Sequence, residues 1–380
     1  MTTADVVIVG GGVIGASVAY HLSLRDTGRV IVLERDRLGT GSTGKNAGGI
    51  RHTFSTEVNV RLSQLAVPRI AAFKDEMGID PAFHQVGYLY LITAERDVVP
   101  FERSLALWAR LGVPARRLTP LEAQAIFPEV RVDDVRFAVF CPADGYADPH
   151  SIVQGYVARA RERGVEFREG APARAIDVAN GKVVAVRAGD ERIECGTIVD
   201  AAGAWGAQVG AMAGLSLPIS PLRRHIFVTG PVPGLDHEYP LTIEFASGLY
   251  FHRESGGVLL GMADPADPPR FDDSVNWDFL PTVVEHALAR LPVLERATVK
   301  TGWAGFYEDT PDRHPILGRV SEVAGFICAA GFSGHGLMHA PAAGELIAQV
   351  ICGETPTLDI APLRFERFAK GELVTEHNVI

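Results

Sequence analysis

Three glycines and a glutamate near the start of the chain have the types and spacing needed to hold a dinucleotide. Gly10, Gly12 and Gly15 form a G-x-G-x-x-G pattern, and Glu34 follows about 20 residues further on. The first glycine would allow a tight turn, the second would let a pyrophosphate approach the backbone, and the third would let helix and strand pack closely. Glu34 would accept hydrogen bonds from ribose hydroxyls. The alternative, a glycine-rich turn followed by a surface glutamate, explains the combination less well.

The elements around these residues form the βαβ unit that the pattern requires. A mostly β-branched strand covers residues 5–9, an apolar helix runs to Leu24, and a second buried strand covers residues 30–33. The amino terminus of this helix would face the negative charge of the pyrophosphate. The pattern alone does not distinguish a nicotinamide from a flavin.

Three further segments of small residues favour a flavin. Residues 41–52 are too small and polar for a core and follow the second strand, where backbone amides could reach phosphate or flavin. Residues 198–205 form a strand that enters a small-residue turn. Residues 330–338 open a helix whose amino terminus could face the flavin edge that becomes negative on reduction. The predicted cofactor-binding residues of the motif and these segments are Gly10, Gly12, Val13, Ile14, Gly15, Glu34, Arg35, Ser42, Thr43, Lys45, Asn46, Ala47, Gly48, Gly49, Ala202, Gly203, Trp205, Gly331, Phe332, Ser333, Gly334, His335, Gly336, Leu337 and Met338.

The rest of the chain alternates between strand and helix patterns. Helices are predicted at about 96–111, after Thr119, and at about 149–163, 278–291 and 336–352. Strands are predicted at 86–93, 165–167, 198–200, 222–228, 249–251, 258–261 and 326–329, with a hairpin through Asn180 and Gly181. The elements from 149 to 200 could return to the first sheet, whereas those from 222 to 305 are typical of an antiparallel sheet with helices.

Composition excludes several classes of protein. The net charge of −10 disfavours binding to nucleic acid or to an anionic membrane, because the field of the protein would repel both. The four cysteines are widely spaced, so we expect neither a metal site nor a disulfide framework. The start of the chain lacks the layout of a secretory signal, and no apolar stretch is long enough to span a membrane. We therefore expect a cytoplasmic protein of the ordinary globular kind.

In this order and over nearly the whole chain, these segments resemble the D-amino-acid oxidase-like FAD-dependent oxidoreductases. This family includes glycine oxidase and sarcosine oxidase, and the likeness is strongest to sarcosine oxidase β-subunit-like members. The residues that carry it are the glycine motif with Glu34, residues 42–50, residues 303–307 with Thr310, Pro311 and Asp312 through residues 315–318, and residues 331–338.

The resemblance implies an α/β fold with a doubly wound (Rossmann-like) FAD domain beside an α+β substrate domain with an antiparallel sheet. Residues 1–82, 145–215 and 320–380 would form the discontinuous FAD-binding domain, and residues 83–144 and 216–319 the substrate-binding domain. The expected substrates are small amino acids or N-substituted glycines. They would be oxidised by hydride transfer to the flavin, giving imines that water hydrolyses.

Three positions depart from the family's pattern. Gly305 stands where monomeric sarcosine oxidases have a cysteine that carries the flavin covalently, so we expect Gly305 to contact a non-covalent FAD. Leu259 and Met338 stand where those oxidases have lysines that assist the reaction with oxygen and bind the substrate carboxylate. Met338 could instead accommodate a longer N-substituent, which predicts that bulky N-alkylglycines outperform sarcosine.

Four residues are candidates for the substrate side of the site. Arg51 ends the glycine-rich loop and resembles the substrate-side arginine of the sarcosine oxidases, although a phosphate-binding or surface arginine is the alternative. His52 could accept a proton or be a plain loop histidine. Tyr250 and His252 alternate along a strand, so both could face the flavin, or the tyrosine could belong to the core. Arg223, Arg224 and His225 are similarly ambiguous.

Several functions remain open at this stage. An amine or proline-type dehydrogenase would pass electrons to a partner or quinone instead of oxygen. A flavin-binding subunit without catalysis and a simple nicotinamide dehydrogenase are further alternatives. The sequence leaves open whether the protein forms a homo- or hetero-oligomer.

Overall fold

The computed structural model describes residues 2–379 and contains two large sheets and two small ones. The strands are β1 Thr2–Thr3, β2 Val6–Val9, β3 Val30–Leu33, β4 Gly49–Ile50, β5 Tyr88–Ile92, β6 Arg116–Leu118, β7 Phe137–Cys141, β8 Gly145–Tyr146, β9 Glu166–Arg168, β10 Ala173–Ala179, β11 Lys182–Ala188, β12 Glu191–Glu194, β13 Thr197–Asp200, β14 Ser220–Thr229, β15 Leu241–Glu244, β16 Leu249–Glu254, β17 Gly257–Met262, β18 Val299–Asp309, β19 Ile316–Arg319 and β20 Phe326–Ala330. The α-helices are α1 Val13–Ser23, α2 Glu57–Ala71, α3 Phe73–Met77, α4 Glu95–Leu111, α5 Pro120–Ile126, α6 Pro149–Glu162, α7 Gly206–Met212, α8 Leu280–Arg290, α9 Gly336–Cys352 and α10 Arg367–Lys370. Short 3₁₀ helices cover Ser42–Lys45, Gly203–Trp205, Trp277–Phe279, Pro292–Arg296 and Ala361–Leu363.

The six-stranded sheet contains the predicted βαβ unit. Its strand order is β19-β20-β13-β2-β3-β9, and all neighbours run parallel except the antiparallel edge pair β19 and β20. The central strands β2 and β3 are fully buried apolar runs, as strands covered on both faces must be. Helices α1, α6 and α9 pack together over one face.

The four-stranded sheet covers the other face of the six-stranded sheet. The predicted hairpin through Asn180 and Gly181 forms β10 and β11, and both turn residues have positive φ, as a tight hairpin turn requires. These strands join β12 and β1 in a separate four-stranded sheet instead of extending the first one. Ile176 and Val186 of this sheet belong to the same apolar cluster as Val7 of the six-stranded sheet. The hairpin thus packs on the six-stranded sheet, whereas residues 166–168 and 197–200 form strands within that sheet.

The eight-stranded sheet carries the other half of the molecule. Its order is β18-β14-β17-β16-β15-β5-β7-β6, and only the pairing of β5 with β15 is parallel. Its side chains alternate between two cores, since Phe251 packs with α8 whereas Tyr250 faces the core shared with α1 and α9. A layer of helices packs on one face of the eight-stranded sheet, and the helices of the six-stranded sheet pack on its other face.

These features confirm the predicted fold class. The strand β19, which the predicted boundary at residue 320 assigns to the substrate-binding part, pairs with β20 in the six-stranded sheet. Residues 1 and 380, at the ends of the predicted ranges, lie outside the described residues. No helix within residues 2–379 is long and apolar enough to cross a membrane.

Candidate functional site

A cavity of about 590 Å³ lies between the two large sheets, at the carboxyl ends of β2, β3 and β13. This edge of a parallel sheet is where doubly wound folds bind their ligands. The cavity has a glycine-rich end near α1 and an end lined by arginine and tyrosine near the eight-stranded sheet. The predicted cofactor residues that line it are Gly10, Gly12, Val13, Ile14, Glu34, Arg35, Ser42, Thr43, Lys45, Asn46, Ala47, Gly49, Ala202, Gly203, Trp205, Gly305, Gly334, His335, Gly336, Leu337 and Met338.

The turn from β2 into α1 requires glycine at two positions. Gly10 has a φ of +111°, and a Cβ there would lie 2.3 Å from the Ala201 carbonyl oxygen. A Cβ on Gly15 would lie 1.9 Å from the Gly10 carbonyl oxygen, so any side chain would push α1 away from β2. Gly12 ends the turn, and a Cβ there would meet only the Thr43 hydroxyl, at 3.1 Å. The turn therefore leaves bare backbone and a helix amino terminus at the cavity wall.

Glu34 lies against this turn at the end of β3. Its Oε2 accepts a hydrogen bond from the Gly11 amide at 2.8 Å, and its Oε1 accepts one from the Asp36 amide at 2.8 Å. Two amide donors fix the carboxylate where it lines the cavity. The remaining lone pairs can accept hydrogen bonds from sugar hydroxyls.

The glycine-rich loop after β3 folds into a short 3₁₀ helix, Ser42–Lys45. The Thr43 hydroxyl accepts a hydrogen bond from the Val13 amide at 3.1 Å, which ties the loop to the start of α1. The Trp303 indole nitrogen donates to the Lys45 carbonyl oxygen at 2.9 Å, which ties it to β18. Gly305 on β18 lies directly beside Lys45, whose ammonium forms an ion pair with Asp273. The loop thus bridges the two sheets along one wall of the cavity.

A second helix amino terminus faces the cavity from the other side. α9 begins at Gly336, directly after His335, and no side chain caps its first turn. His335 is buried, lines the cavity, and has no hydrogen-bond partner for either ring nitrogen among residues 2–379. Burial and the nearby charge of Arg51 hold the pKa of His335 well below its ordinary value, so the ring is neutral. An uncharged imidazole at a cavity wall can form hydrogen bonds with a ligand or with an ordered water.

These observations fit a bound dinucleotide with a flavin. Two helix amino termini, a bare glycine turn and a carboxylate that can bind a sugar converge on one cavity, which supplies donors for a pyrophosphate and acceptors for a ribose. Gly305 and Gly203 add no side chain to the cavity wall, so a flat ring system could lie close to the backbone there. Among residues 2–379, no cluster of histidine, cysteine and acidic side chains could hold a metal ion.

Two buried carboxyl groups lie close to the cofactor end of the cavity. Glu308 lines the cavity, and burial raises its pKa to about 7 even though the Gly331 amide donates to it. Asp200 ends β13, and burial raises its pKa to about 8 even though the Ala202 amide donates to it. Both groups can therefore be protonated near neutral pH.

Arg51 lies at the other end of the cavity and is only 4% exposed. Its Nη1 donates to the Thr53 carbonyl oxygen at 2.8 Å and more weakly to the Tyr90 hydroxyl at 3.4 Å, and its Nη2 donates to the Asn378 carbonyl oxygen at 2.5 Å. The guanidinium also stacks on Phe54, 3.9 Å from the ring centre. No carboxylate within residues 2–379 forms an ion pair with it. A buried guanidinium that none of these carboxylates contacts is a strong candidate for binding an anionic group of a ligand.

Three tyrosines line the same end, and each packs on a glycine. A Cβ on Gly49, Gly261 or Gly334 would lie between 2.0 and 2.4 Å from the ring or hydroxyl of Tyr88, Tyr250 and Tyr307 respectively. The glycines let these rings lie flat against the backbone. Burial raises the pKa of all three hydroxyls, so they remain neutral hydrogen-bonding groups.

The adjacent arginines of β14 differ from each other. Arg223 forms ion pairs with Asp267 and Asp272 away from the cavity, which is a structural role. Arg224 lines the cavity, lies over the Tyr307 ring at 4.7 Å, and has a buried Nε without a partner among residues 2–379. Arg224 is thus a second positive charge at the substrate end.

The structure does not bring every predicted site residue to the cavity wall. His52 is turned toward Asp144, whose Oδ1 lies 2.8 Å from its Nδ1. His252 stacks on Tyr146, and its Nε2 lies 2.9 Å from the Ala47 carbonyl oxygen, so it supports the glycine-rich loop from behind. The predicted cofactor residues that do not line the cavity are Gly15, Gly48, Gly331, Phe332 and Ser333. Gly15 acts through packing, and Gly48 and Gly331 have positive φ in the turns beside the cavity.

Sequence reasoning missed several residues that shape the site. Tyr307 ends a segment that contributes only to the family resemblance, and Glu308 directly follows it. A glutamate next to a strand of small residues could have indicated a residue of the site. Tyr88 lies in a predicted strand, but the prediction does not say which face of that strand lines the cavity. Asp144 and Glu376 are fully buried carboxylates near Arg51, and no local pattern in the sequence indicates them.

Comparisons with known proteins identify the family of this chain. A family model described as "DAO: FAD dependent oxidoreductase" matches residues 5–350. The Bos taurus "FAD-dependent oxidoreductase domain-containing protein 1" is 32% identical, with an alignment that covers 99% of this chain and 87% of that protein. The crystal structure of L-proline dehydrogenase from P. horikoshii has a TM-score of 0.92 and 32% identity, covering 98% of this chain and 100% of that one. Mitochondrial sarcosine dehydrogenase from Mus musculus is 28% identical, and the alignment covers 99% of this chain but 42% of that protein.

The chain therefore belongs to the DAO family of FAD-dependent oxidoreductases. The predicted family and the predicted class of enzyme are both confirmed.

Proposed function

We propose that the protein oxidises a small secondary amino acid at the carbon next to its nitrogen, with Arg51 binding the substrate carboxylate. The observation that carries this proposal is the state of Arg51, which is buried at the cavity wall without an ion pair within residues 2–379. Its planar fork matches a carboxylate with two hydrogen bonds. Asp144 and Glu376 act on Arg51 only from a distance, so the guanidinium can still bind a ligand carboxylate directly.

The neighbours of Arg51 suit the amine half of such a substrate. The amine must be neutral to release electrons, and a buried site disfavours its charged form. Tyr88, Tyr250 and Tyr307 provide neutral walls, and the neutral His335 ring can accept a hydrogen bond from nitrogen. FAD, when bound, supplies the acceptor for the two electrons of the C–H bond. The protein itself binds and orients the substrate and keeps water out.

The names of two relatives support a secondary amine. L-proline and sarcosine each combine a secondary amine with a carboxylate, and the proteins named for them match nearly the whole of this chain. Met338 lines the cavity and leaves room for a flexible apolar contact with an N-substituent. We therefore favour proline or an N-alkylglycine over a primary amino acid.

We further infer that FAD binds without a covalent bond, because Gly305 offers no side chain for attachment and lies against Lys45. Leu259, at the position of an oxygen-activating lysine in the sarcosine oxidases, is buried in the apolar core. This favours a dehydrogenase that passes electrons to a partner in the cytoplasm over an oxidase.

The test is anaerobic reduction of the purified yellow protein. Proline, sarcosine and longer N-alkylglycines are compared with pyrrolidine and dimethylamine, which lack the carboxylate, while flavin absorbance near 450 nm is followed. We expect bleaching by members of the first group only. Equal bleaching by both groups would remove the role of Arg51, and no bleaching by any amine would favour a non-catalytic subunit. An oxygen electrode then separates the acceptors, since an oxidase consumes oxygen at its turnover rate.

A further inference from the structure

The segment 376–378, which we call the latch, packs behind Arg51. Its residues alternate, with Glu376 and Asn378 buried and His377 exposed. Glu376 is 0% exposed and Asn378 is 1% exposed. About 320 residues of chain separate the latch from the loop it contacts, which runs from Arg51 to Thr56. The burial of two polar side chains against a loop so distant in sequence requires an explanation.

Glu376 anchors the latch through six hydrogen bonds that its carboxylate accepts. Oε1 accepts from the amide and hydroxyl of Ser55, at 2.7 and 2.5 Å, and from the Asn378 amide at 2.9 Å. Oε2 accepts from the amide and hydroxyl of Thr56, at 3.2 and 2.8 Å, and from Asn59 at 3.1 Å. All six are donors, so the pocket is built for the ionised form. A glutamine would place an amide group against three of these donors.

The charge of Glu376 has no ion pair within residues 2–379. Burial alone would raise the pKa of Glu376, but hydrogen bonds from Ser55 and the positive charge of Arg51 outweigh it and hold the pKa below its ordinary value. The carboxylate therefore stays ionised. Glu376 balances the charge of Arg51 without occupying the guanidinium.

Asn378 carries the contact to Arg51. Its carbonyl oxygen accepts from Arg51 Nη2 at 2.5 Å, and its side-chain amide donates to the Thr53 carbonyl oxygen at 3.2 Å. The Thr53 oxygen also accepts from Arg51 Nη1. Together these contacts hold both Nη1 and Nη2 of the guanidinium. Nε has no acceptor within residues 2–379, and Nε and Nη2 form an edge that a carboxylate can bridge.

We propose that Glu376 is a positioning residue for substrate recognition: it anchors the latch, whose Asn378 carbonyl oxygen orients Arg51 toward a carboxylate in the cavity. This inference rests on the proposed role of Arg51 as the carboxylate-binding group. It gives the latch a function in substrate affinity and predicts no part for it in the oxidation itself.

The test compares Glu376→Gln with Glu372→Gln in the FAD-loaded enzyme. Glu372 lies a few residues before the latch, is exposed, and pairs only with Arg364. Loss of Glu376 should raise KM for the best amino-acid substrate about tenfold, the effect of one weakened charge-assisted hydrogen bond. The kcat should stay within about twofold. Glu372→Gln should leave all of these values unchanged.

Two further variants make the result decisive. Ser55→Ala removes one donor to Glu376 and should also raise KM, by a smaller factor than Glu376→Gln. This variant serves as the test if Glu376→Gln fails to fold. Arg51→Met separates the two hypotheses, because an unchanged KM in this variant would refute the carboxylate role of Arg51 itself. If Arg51→Met raises KM but neither latch variant does, only the latch proposal fails. A lower KM in Glu376→Gln would also overturn it, since Glu376 would then compete electrostatically with the substrate.

Discussion

The two ends of the cavity are built in different ways. The cofactor end consists mainly of backbone from contiguous stretches, the turn from Gly10 to Gly15 and the loop 41–49, with Glu34 beside them. The substrate end consists of side chains from strands distant in sequence, including Arg51, Tyr250 and Tyr307. The first end needs the absence of side chains, whereas the second needs particular side chains held by remote neighbours.

This difference explains how each end can vary. A pyrophosphate is the same in every dinucleotide, so a bare helix amino terminus and a glycine turn are sufficient to bind it. An amino-acid substrate is recognised by a few polar groups within an otherwise neutral pocket. We therefore expect substitutions at the cofactor end to cost stability and FAD together, and substitutions at the substrate end to cost affinity alone.

The largest effect is expected for Gly15→Ala. The new Cβ would meet the Gly10 carbonyl oxygen at 1.9 Å, so α1 must move away from β2, at a cost of about 3 kcal/mol in the free energy of unfolding. Urea unfolding and the ratio of flavin to protein measure the two losses. Gly196→Ala is the control, since a Cβ there meets nothing within 4 Å. Full FAD content and an unchanged urea midpoint in Gly15→Ala would contradict this account of the turn.

At the substrate end, Arg51→Lys should lower kcat/KM on the order of 50-fold for an amino-acid substrate. Lysine keeps the charge but loses the planar fork and its paired hydrogen bonds. FAD content and thermal stability should change little, which is the opposite pattern from Gly15→Ala. Arg224→Lys is the matched comparison, because Arg224 also lines the cavity and forms no ion pair with any residue that the structure describes. A larger loss in Arg224→Lys would transfer the carboxylate site to that residue.

How far the sequence predicts each end follows from the same contrast. The strand 30–33 and the helix 336–352 were predicted with the bounds that the structure shows, because a buried strand and a long amphipathic helix are local patterns. The glycine turn was predicted for the same reason. α2, with Pro68 in its last turns, was not predicted, since proline inside a helix usually marks its end.

The environment of Arg51 could not be predicted in this way. Its acceptors are Thr53, which is two residues away, and Asn378, which is brought to it only by the complete fold. The placement of His52 and His252 outside the cavity wall has the same origin, because their partners Asp144 and Ala47 come from other elements. Alternation along a strand predicts the face of a residue but not where along that face a cavity ends.

A pH effect is expected from the buried carboxyl of Asp200 near the cofactor end. Its pKa is about 8 in the folded protein and 3.8 in its ordinary state, so the folded protein holds an extra proton between these values. The free energy of unfolding should therefore fall as the pH rises from about 4 to about 8. Asp200→Asn should flatten this part of the profile, measured by thermal unfolding at several pH values. The exposed Asp190→Asn variant should follow the native profile, and parallel curves for all three proteins would refute the effect.

The smallest expected effect concerns Met338 and the size of the N-substituent. In the native enzyme, N-butylglycine should have a higher kcat/KM than sarcosine, because the flexible thioether side chain offers an apolar contact at the cavity wall. Met338→Lys should lower the ratio of the two values about fivefold, within the range that one or two methylenes contribute in an apolar pocket. Met338→Leu keeps the apolar volume and should preserve the ratio. Because the ratio compares two substrates in one protein, changes in FAD content cancel. A native ratio at or below one, or a ratio that survives Met338→Lys, would mean that specificity at this end comes from the tyrosines and not from Met338.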